Sequence, residues 1–284
     1  MPELPEVETV VRGLREILVG RTFQRVKITA PPKSIVVADT FGKRTMDRLL
    51  RGRTVQAVNR RGKNIFIELD TDTTLWVHLK MTGRFLYVPK TQPPDKHDLV
   101  TFDLTANGHP DDPSLHVRFN DYRRFGRLRL FPNDLLWQQD GLRDLGPEPL
   151  DLPADDFVAL CKRRARYIKP ALLDQSFIAG LGNIYADESL WASRIHPLRL
   201  TNSLSKKKLV ELHGHIQRLL QMGIDLAGTS VNTYSGVNGT PGTMQYHLQV
   251  YGKEDAACPR CDGVIVRQKI GSRSAHFCRR CQRG

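Results

Sequence analysis

Residues 1–20 read MPELPEVETVVRGLREILVG, and they contain a clear periodic signal. Apolar side chains recur there at intervals of three and four residues, which is the spacing of one face of an α-helix. These positions are Leu4, Val7, Val10, Val11, Leu14, Ile17 and Leu18. Pro5 lies in the first turn, where proline is tolerated, and Gly20 follows the last apolar position. The pattern predicts a helix from Leu4 to Leu18.

Beyond Gly20 the period of the apolar residues changes to two. Short runs that alternate or are continuously apolar follow one another up to about Phe131, and turn residues separate them. These runs are residues 26–28, 64–69, 75–79, 100–104, 116–119 and 127–130. The pattern favours an antiparallel β-sandwich capped by the first helix, in a domain of residues 1–135. It does not define which strands pair.

The second half of the chain has helical signals. The segment Gly146-Pro147-Glu148-Pro149 prevents regular structure, so residues 136–152 are predicted to link two domains. Helices are predicted over residues 155–166, 170–174, 183–193 and 205–226, and a loop rich in Gly, Thr, Asn and Ser over 228–243. A helical domain therefore covers residues 153–246, and a β-rich segment covers residues 247–284. The fold class is α+β.

The charge of the chain predicts a polyanionic partner. The formal net charge is +13, with 43 Lys and Arg against 30 Asp and Glu in 284 residues. Such an excess favours nucleic acid over an anionic membrane surface, although a merely basic protein is the alternative. The cations recur in turns, as in Arg60-Arg61-Gly62-Lys63 and Arg123-Arg124-Phe125-Gly126. This placement favours a folded binding cleft.

Signals for a membrane or for export are lacking in this sequence. No apolar run reaches the roughly 18 residues that a membrane span needs. The N-terminus has no basic region followed by an apolar stretch, so no secretory signal is predicted. Acidic residues within the first eight positions argue against an organelle transit peptide. A cytoplasmic protein is expected, and a monomer is expected because the sequence indicates no spare apolar surface.

Four of the five cysteines form two pairs near the C-terminus. The pairs Cys258-Pro259-Arg260-Cys261 and Cys278-Arg279-Arg280-Cys281 are typical of a closed, structural zinc site with four thiolate ligands. A redox dithiol is the alternative. The residues between the pairs predict a two-stranded hairpin with Gly271-Ser272-Arg273 at its turn. The fifth cysteine, Cys161, is predicted to be a core residue.

The second residue predicts a nucleophile. Removal of Met1 would give Pro2 a free secondary amine, and an α-amino group has a pKa of roughly 7.7–8.0. Such an amine can attack the anomeric carbon of a nucleoside, displace the base and leave an iminium that acidifies the neighbouring sugar C–H. Glu3 and Glu6 place carboxyl groups near this chemistry. In the alternative interpretation, Pro2 only fixes the angle at which the chain enters the helix.

Two further groups of residues favour nucleic-acid binding. Gly180-Leu181-Gly182-Asn183 leads into a predicted helix whose unpaired N–H groups can bind a phosphate, although a plain helix cap is the alternative. Met81, Arg123 and Phe125 lie near strand ends. Together they could fill the gap that an extruded base leaves, although residues such as Met81 and Phe125, taken by themselves, are more often core residues.

The order of these motifs resembles one known family. The matching segments are MPELPEVETV, RRGK, HLKMTGRF, KHDLV, RRFG, LGPEPL, IKPALLDQ, GLGNIYADESL, VYGK and the paired cysteines. They cover essentially the whole chain and resemble the bacterial formamidopyrimidine-DNA glycosylases. The resemblance implies a helix–two-turn–helix in the second domain and a zinc finger at its end. It also implies a nucleoid-associated, bifunctional glycosylase and lyase of base excision repair, acting on oxidised purines such as 8-oxoguanine in duplex DNA.

The resemblance assigns catalytic roles residue by residue. Pro2 corresponds to the nucleophile that forms the Schiff base, and Glu3 to the proton donor. Lys63 corresponds to a residue of β-elimination, and Arg273 to one of δ-elimination and phosphate binding. These assignments make residues 1–135 the catalytic domain.

The DNA-binding roles follow in the same way. Met81, Arg123 and Phe125 correspond to a wedge, with Arg123 facing the orphaned cytosine. The phosphate-contacting positions are His97, Lys169 and Asn183, with Arg164 and Arg166 as substitutes for a family basic residue that falls near Ala165. The loop from Thr229 to Gly242 corresponds to a mobile lid over the extruded base, and the lesion-recognition residues are Glu6, Thr229 and Ser230. The lid sequence departs most from the family.

Two alternatives stay open at this point. The related endonuclease VIII, which acts on oxidised pyrimidines, shares the proline, the glutamate, the helical region and the zinc hairpin. A binder of damaged DNA without catalytic activity is the alternative from another class. Intact Pro2, Glu3, Lys63 and Arg273 disfavour the second alternative.

Overall fold

The structure of the protein is a computed structural model that describes residues 1–30, 43–105, 115–230, 236–237 and 239–283. Within these ranges the chain forms two compact units. The first unit is Met1–Arg143 with Ala227–Gly242, and the second is Asp144–Leu226 with Thr243–Gly284. The structure therefore groups residues 227–242 with the first unit, whereas the predicted helical domain extended to residue 246. The other predicted domain boundaries stay predictions.

Helix α1 spans Leu4–Leu18, as predicted. All seven of its predicted apolar positions are buried in the first unit. Glu3 precedes the helix as its N-cap, and the side chain of Glu6 accepts a hydrogen bond from the Glu3 backbone. This bond satisfies one of the unpaired donors at the helix start, which is why the helix begins at Leu4.

Two four-stranded sheets make up most of the first unit. The strands are β1 Phe23–Ile28, β2 Val55–Arg61, β3 Asn64–Leu69, β4 Thr73–His78, β5 Arg84–Pro89, β6 Asp98–Leu104, β7 Leu115–Asn120 and β8 Arg127–Pro132. One sheet has the order β1-β6-β7-β5 and the other β2-β3-β4-β8. Every pairing is antiparallel. The described part of this unit also contains two short helices, α2 Lys43–Leu50 and α3 Asn133–Leu136.

Side chains from both sheets and from α1 form one buried hydrophobic cluster. Aromatic pairs contribute to it, including Phe85 with Phe119 at a centroid distance of 5.3 Å and Phe23 with Phe102 at 5.7 Å. Each fully buried side chain of this size stabilises the fold by about 1.5–3 kcal/mol. The shared core confirms the predicted β-sandwich with its N-terminal helix.

Two strands and two helices were not predicted. The missed strands, β2 and β5, each form one of the two edges of their sheet. Only Val55 and Val58 of the seven residues of β2 are buried, and β5 has a single buried residue, Phe85. An edge strand can remain half polar because one of its sides lies against solvent, so its apolar alternation is weak.

The second unit is helical. Its helices are α4 Ala154–Arg163, α5 Ile168–Leu173, α6 Asn183–Ala192 and α7 Lys206–Asp225, with 3₁₀ turns at Thr201–Ser203 and Met244–His247. All four α-helices were predicted. Helix α4 ends three residues early because Arg164 adopts an extended backbone. The hydroxyl of Ser205 caps α7 by accepting a hydrogen bond from the Lys208 backbone.

The hairpin near the C-terminus also follows the prediction. Strands β9 Ile265–Ile270 and β10 Arg273–Cys278 pair in antiparallel register, with Ile270 opposite Arg273. Gly271 in the turn has a φ of 61°, a conformation that glycine adopts without strain. Within the described ranges, no helix is long and apolar enough to cross a lipid bilayer.

Candidate active site and nucleic-acid interface

The start of α1 contains three of the predicted site residues. Pro2 is buried, and Glu3 and Glu6 expose only 3% and 2% of their surface. One carboxylate oxygen of Glu6 accepts from the Glu3 backbone N–H at 2.8 Å, and the other accepts from the Thr229 N–H at 2.7 Å. Glu6 therefore fixes the backbone beside Pro2 and ties it to residue 229. Its predicted part in lesion recognition stays a prediction.

Thr229 and Ser230 begin the predicted lid. Thr229 is 3% exposed, and its hydroxyl is buried with no hydrogen-bond partner among the described residues. The Ser230 hydroxyl accepts from the Gly242 N–H at 2.8 Å, which joins the two ends of the segment. The carbonyl of Val237 accepts from the Tyr87 N–H at 3.2 Å. Residues 231–235 and 238 of the lid lie outside the described residues.

Lys63 lies in the two-residue turn between β2 and β3. Gly62 precedes it with a φ of 57°, in the left-handed region that favours glycine. Asn64 supports the turn, because its side chain donates to the Arg61 carbonyl at 3.1 Å and accepts from the Trp76 indole at 3.0 Å. Only 5% of Lys63 is exposed. The turn therefore holds the Lys63 ammonium in an enclosed position.

His78, at the end of β4, was not singled out from the sequence. Its Nδ1 accepts from the Lys80 backbone N–H at 2.9 Å, so the proton of the neutral ring lies on Nε2. The pKa of His78 is lowered to about 3. Burial away from water is the largest cause, and the cations of Lys80, Lys63 and Arg127 add to it. Burial lowers the pKa of Lys80, and the neighbouring positive charges of Arg127 and Arg129 lower it further. Crowded cations of this kind favour an anion such as a phosphate.

The three predicted wedge residues lie at the surface of the first unit. Met81 is half-buried, and Arg123 and Phe125 are exposed. The Arg123 guanidinium stacks on the Phe125 ring, with Cζ 4.9 Å from the ring centroid. Phe125 is 43% exposed, which excludes the core role that the sequence also allowed for it.

His97 lies in a loop that a buried arginine holds. Arg118 is 2% exposed and donates to the Asp98 carboxylate at 3.1 Å and to the carbonyls of Gln92 at 2.5 Å and Pro93 at 3.1 Å. The Nδ1 atom of His97 is buried without a hydrogen-bond partner among the described residues. Arg118 has no recognisable signal in the sequence, because a single arginine between apolar residues of a strand is usually solvated.

Asn183 is the first residue of α6 in the second unit. Gly182 occupies the N-cap position and Gly180 has a φ of 85°. Asn183 is therefore not the helix cap, which was one of its two predicted roles. Its Oδ1 atom is buried and has no hydrogen-bond partner among the described residues. The positive end of the helix dipole also lies at this helix start, and it favours an anion.

Lys169 is enclosed in the second unit. It has no exposed surface, and its ammonium donates to Asp187 at 2.5 Å and to the Ser274 carbonyl at 2.6 Å. Asp187 also accepts from the backbone N–H of His276 at 2.9 Å and from its ring at 3.1 Å. These bonds tie α5 and α6 to strand β10, next to Arg273. This placement gives Lys169 a supporting role, and its predicted phosphate contact stays a prediction.

Replacing Lys169 with Met is expected to lower the free energy of unfolding by about 3–5 kcal/mol, because the Asp187 carboxylate is left buried without its cation. The double variant Lys169→Met/Asp187→Leu is expected to recover part of this loss, because no charge is left unpaired. Denaturant unfolding measures both. Lys206→Met, in an exposed pair with Asp155, is the matched control and should leave the midpoint unchanged. A Lys169→Met variant as stable as the wild type would contradict the prediction.

Three predicted arginines differ in exposure. Arg164 is exposed immediately after α4, and Arg273 is exposed at the start of β10. Arg166 is partly exposed and donates to the Asp174 carboxylate at 2.8 Å. Of the two substitutes for the family basic position, Arg164 is therefore the more accessible.

The four paired cysteines form a single cluster. Their Sγ atoms all lie within 4.8 Å of one another, with Cys258 at 3.8 Å from Cys281 and Cys261 at 3.6 Å from Cys278. Four thiolates at about 2.3 Å from a tetrahedral zinc ion stand about 3.8 Å apart, so the cluster fits zinc. A Cβ atom at Gly263 would lie 2.9 Å from the Cys278 Sγ, so the site needs glycine there. The chain has one structural zinc site with four cysteine ligands, as predicted.

The remaining cysteine is a core residue, as predicted. Cys161 is fully buried within α4, and burial raises the pKa of its thiol to about 12. A thiol of this kind has almost no thiolate at neutral pH and is therefore inert.

Side chains of α6 support the zinc region. The Arg260 guanidinium lies 3.9 Å from the centroid of the Trp191 ring and donates to the Trp191 carbonyl at 2.7 Å. Glu188 is 2% exposed and accepts from the backbone N–H groups of Val250 and Tyr251, both at 2.9 Å. Burial raises the pKa of Glu188, and these backbone bonds oppose the rise. Sequence reasoning missed these residues because each acts on a distant segment.

Comparisons with known proteins agree along the whole chain. The formamidopyrimidine-DNA glycosylase N-terminal domain matches residues 1–128, and the formamidopyrimidine-DNA glycosylase H2TH domain matches residues 145–235. A zinc finger found in FPG and IleRS matches residues 257–284. Formamidopyrimidine-DNA glycosylases from Herpetosiphon aurantiacus and Heliobacterium modesticaldum are each 43% identical to the chain. The first match covers 99% of this chain and 100% of the relative, and the second covers 100% of both.

Solved structures show the same fold. A Lactococcus lactis Fpg mutant in complex with Fapy-dG-containing DNA matches with a TM-score of 0.89 and 36% identity, over 100% of both chains. Lactococcus lactis Fpg in complex with abasic-site DNA matches equally well, over 99% of this chain and 100% of that one. The sandwich, the helical region and the zinc hairpin together define a DNA glycosylase of base excision repair. More particularly, the chain belongs to the formamidopyrimidine-DNA glycosylase family.

Proposed function

We propose that the protein excises oxidised purines, such as 8-oxoguanine and formamidopyrimidines, from duplex DNA and then cleaves the strand at the resulting abasic site. The proposal rests above all on the buried start of α1, where Pro2 and Glu3 lie side by side and Glu6 fixes their backbone. Solved relatives bound to DNA with Fapy-dG or an abasic site support it. The enzyme acts in the bacterial cytoplasm, on the DNA of the nucleoid.

The proposed reaction begins at the Pro2 nitrogen. This nitrogen bonds to the sugar C1′ while the glycosidic bond breaks, and the base leaves with the bonding electron pair and a proton from Glu3. The attacking nitrogen then loses its proton, which passes through the Glu3 carboxylate to the ring oxygen, and opening of the sugar ring gives a cationic iminium between Pro2 and C1′. Loss of a C2′ proton to a base expels the 3′ phosphate, and loss of a C4′ proton in a second elimination expels the 5′ phosphate.

The other catalytic roles are assigned to two cations. Lys63, held in the β2–β3 turn, assists β-elimination. Arg273, exposed at the start of β10, binds a phosphate and assists δ-elimination. Glu3 must carry a proton when it acts as the acid, although the start of α1 favours its anion. Exclusion of water by bound DNA favours the protonated form, since a low-dielectric cleft penalises the charge.

DNA binding is assigned to the cationic surface. Met81, Arg123 and Phe125 fill the gap left by the extruded base, with Arg123 facing the orphaned cytosine. The phosphate-binding residues are His97, Asn183, Arg164 and Arg166, with Lys169 supporting the hairpin. With roughly 6–10 phosphate contacts, affinity should fall about 10³–10⁵-fold between 50 and 200 mM salt.

Recognition of the lesion is assigned to the segment that begins at Thr229. The Thr229 hydroxyl has no partner among the described residues, so it is available to bond an extruded base. Ser230 lies next to it. Glu6 acts by fixing the Thr229 backbone.

A trapping experiment tests the proposal. Duplexes containing 8-oxoguanine, thymine glycol or no lesion are incubated with the protein and sodium borohydride, which reduces an iminium to a stable covalent adduct. We expect an adduct with 8-oxoguanine and a cleaved strand when borohydride is omitted. Preference for thymine glycol would assign the chain an endonuclease VIII type of specificity. Binding to the lesion without adduct or cleavage, by protein whose N-terminus is verified as Pro2, would mean a non-catalytic binder.

A further inference from the structure

We propose that Asp121, together with Thr82, is the positioning centre of the wedge, and that it presets two turns for insertion into DNA. The first wedge turn is residues 80–83, which includes Met81. The second wedge turn is residues 121–126, which includes Arg123 and Phe125. The inference rests on the proposed function, because it concerns how the wedge acts on duplex DNA.

The Asp121 carboxylate bonds to both wedge turns. It has no exposed surface. Its Oδ1 accepts from the Thr82 hydroxyl of the first turn and from the Arg123 N–H of the second turn at 3.2 Å. Its Oδ2 accepts from the Gly126 N–H at 2.7 Å. A single buried carboxylate therefore joins the backbone of the second turn to a side chain of the first.

Packing joins the same two turns independently. Gly83 of the first turn and Gly126 of the second turn both lie against the ring of Phe119, which is fully buried. A Cβ atom would lie 2.8 Å from the ring at Gly83 and 2.7 Å from it at Gly126. Neither position has room for a side chain. The two turns are therefore packed on one rigid surface.

The backbone of each turn contains an unfavourable conformation. Lys80, next to Met81, has a φ of 53°, and Arg124, between Arg123 and Phe125, has a φ of 59°. Residues other than glycine rarely adopt such angles. These angles persist only where the surrounding structure holds the backbone in place. At the second turn, the hydrogen bonds to Asp121 hold the backbone in this conformation. The hydrogen bond from Thr82 to Asp121 fixes the first turn to the second.

The consequence is a wedge shaped before DNA arrives. Long side chains on loose turns lose conformational freedom when they enter the duplex, whereas side chains on fixed turns lose less. Extruding a base from the duplex costs free energy, so a preset wedge speeds extrusion because less conformational freedom is lost when the wedge inserts. Asp121 and Thr82 act through Met81, Arg123 and Phe125 and are therefore positioning residues.

Two variants at one position test this inference. Thr82→Val keeps the shape of the side chain but removes the hydroxyl that bonds Asp121, whereas Thr82→Ser keeps the hydroxyl. A duplex with 8-oxoguanine beside the fluorescent base 2-aminopurine reports extrusion in stopped flow. We expect Thr82→Val to slow extrusion on the order of tenfold, since it breaks a buried hydrogen bond to a charged group. Thr82→Ser should extrude at close to the wild-type rate.

Further measurements separate positioning from general damage. Borohydride trapping on a preformed abasic site needs no base extrusion, so Thr82→Val should keep its rate there. In a Met81→Ala background, Thr82→Val should slow extrusion little further. Asp103→Asn, in the neighbouring strand β6 and outside this network, is the matched control and should extrude normally.

Two results would overturn the inference while leaving the proposed function intact. The first is a Thr82→Val variant that extrudes as fast as the wild type. The second is an equal slowing of extrusion and abasic-site trapping, which would indicate a structural defect alone. A wild-type protein that forms no adduct at all would instead overturn the proposed function.

Discussion

A fusion that keeps the Pro2 nitrogen in an amide bond is expected to form no adduct with lesion-bearing DNA. Proteolytic release that makes Pro2 the first residue is expected to restore the full yield. An amide nitrogen has no available electron pair, whereas a free α-amino group with a pKa of roughly 7.7–8.0 is partly unprotonated at neutral pH. The expected effect is complete loss, because no other group in the proposed reaction forms the iminium.

The fused and released forms must differ only in chemistry. Pro2 is buried, so an attached segment could also obstruct DNA. Binding to a duplex with a stable abasic analogue is the control, and both forms should bind it with similar affinity. Mass spectrometry confirms which residue is first. If the fused form binds this duplex and still gives a borohydride adduct, Pro2 is not the nucleophile.

Removal of zinc is expected to unfold the C-terminal hairpin. Zinc binding to small four-ligand sites contributes about 10–16 kcal/mol, which exceeds what the buried apolar residues of this hairpin can supply. Those residues form two small clusters, Val250 with Cys258, Ile265 and Cys278, and Ile270 with Ala275 and Phe277. Without zinc, Arg273 loses its fixed position, so we expect the affinity for DNA to decrease when the hairpin unfolds.

The measurement compares Cys258→Ser with Cys161→Ala. The first variant removes a zinc ligand, and we expect it to lose its zinc equivalent and the slow hydrogen exchange of β9 and β10. The second variant removes the buried core thiol and should keep one zinc ion per chain. Binding to the stable abasic duplex should weaken only in the first variant. A zinc-free Cys258→Ser protein with a protected hairpin would show that zinc does not hold this fold.

The features predicted from the sequence are those that neighbouring residues encode. The spacing of apolar residues from Leu4 to Leu18 reports which face of α1 is buried, because 3.6 residues make one turn. Cysteine pairs with two residues between them indicate a zinc knuckle, because a short loop fixes the distance between its two ligands. The chemistry assigned to Pro2 likewise depends on one residue and its place in the chain. All of these signals are local.

The tertiary structure decided the contacts that shape the site. Glu6 bonds Thr229 across 223 positions of the chain, and Thr82 bonds Asp121 across 39. Lys169 reaches Ser274 across 105 positions. Such pairs have no periodic or short-range signature, because they form only when strands and helices pair in one particular register. A polar residue in the sequence therefore does not reveal whether it will be solvated or buried with a partner, and only the folded chain assigns that partner.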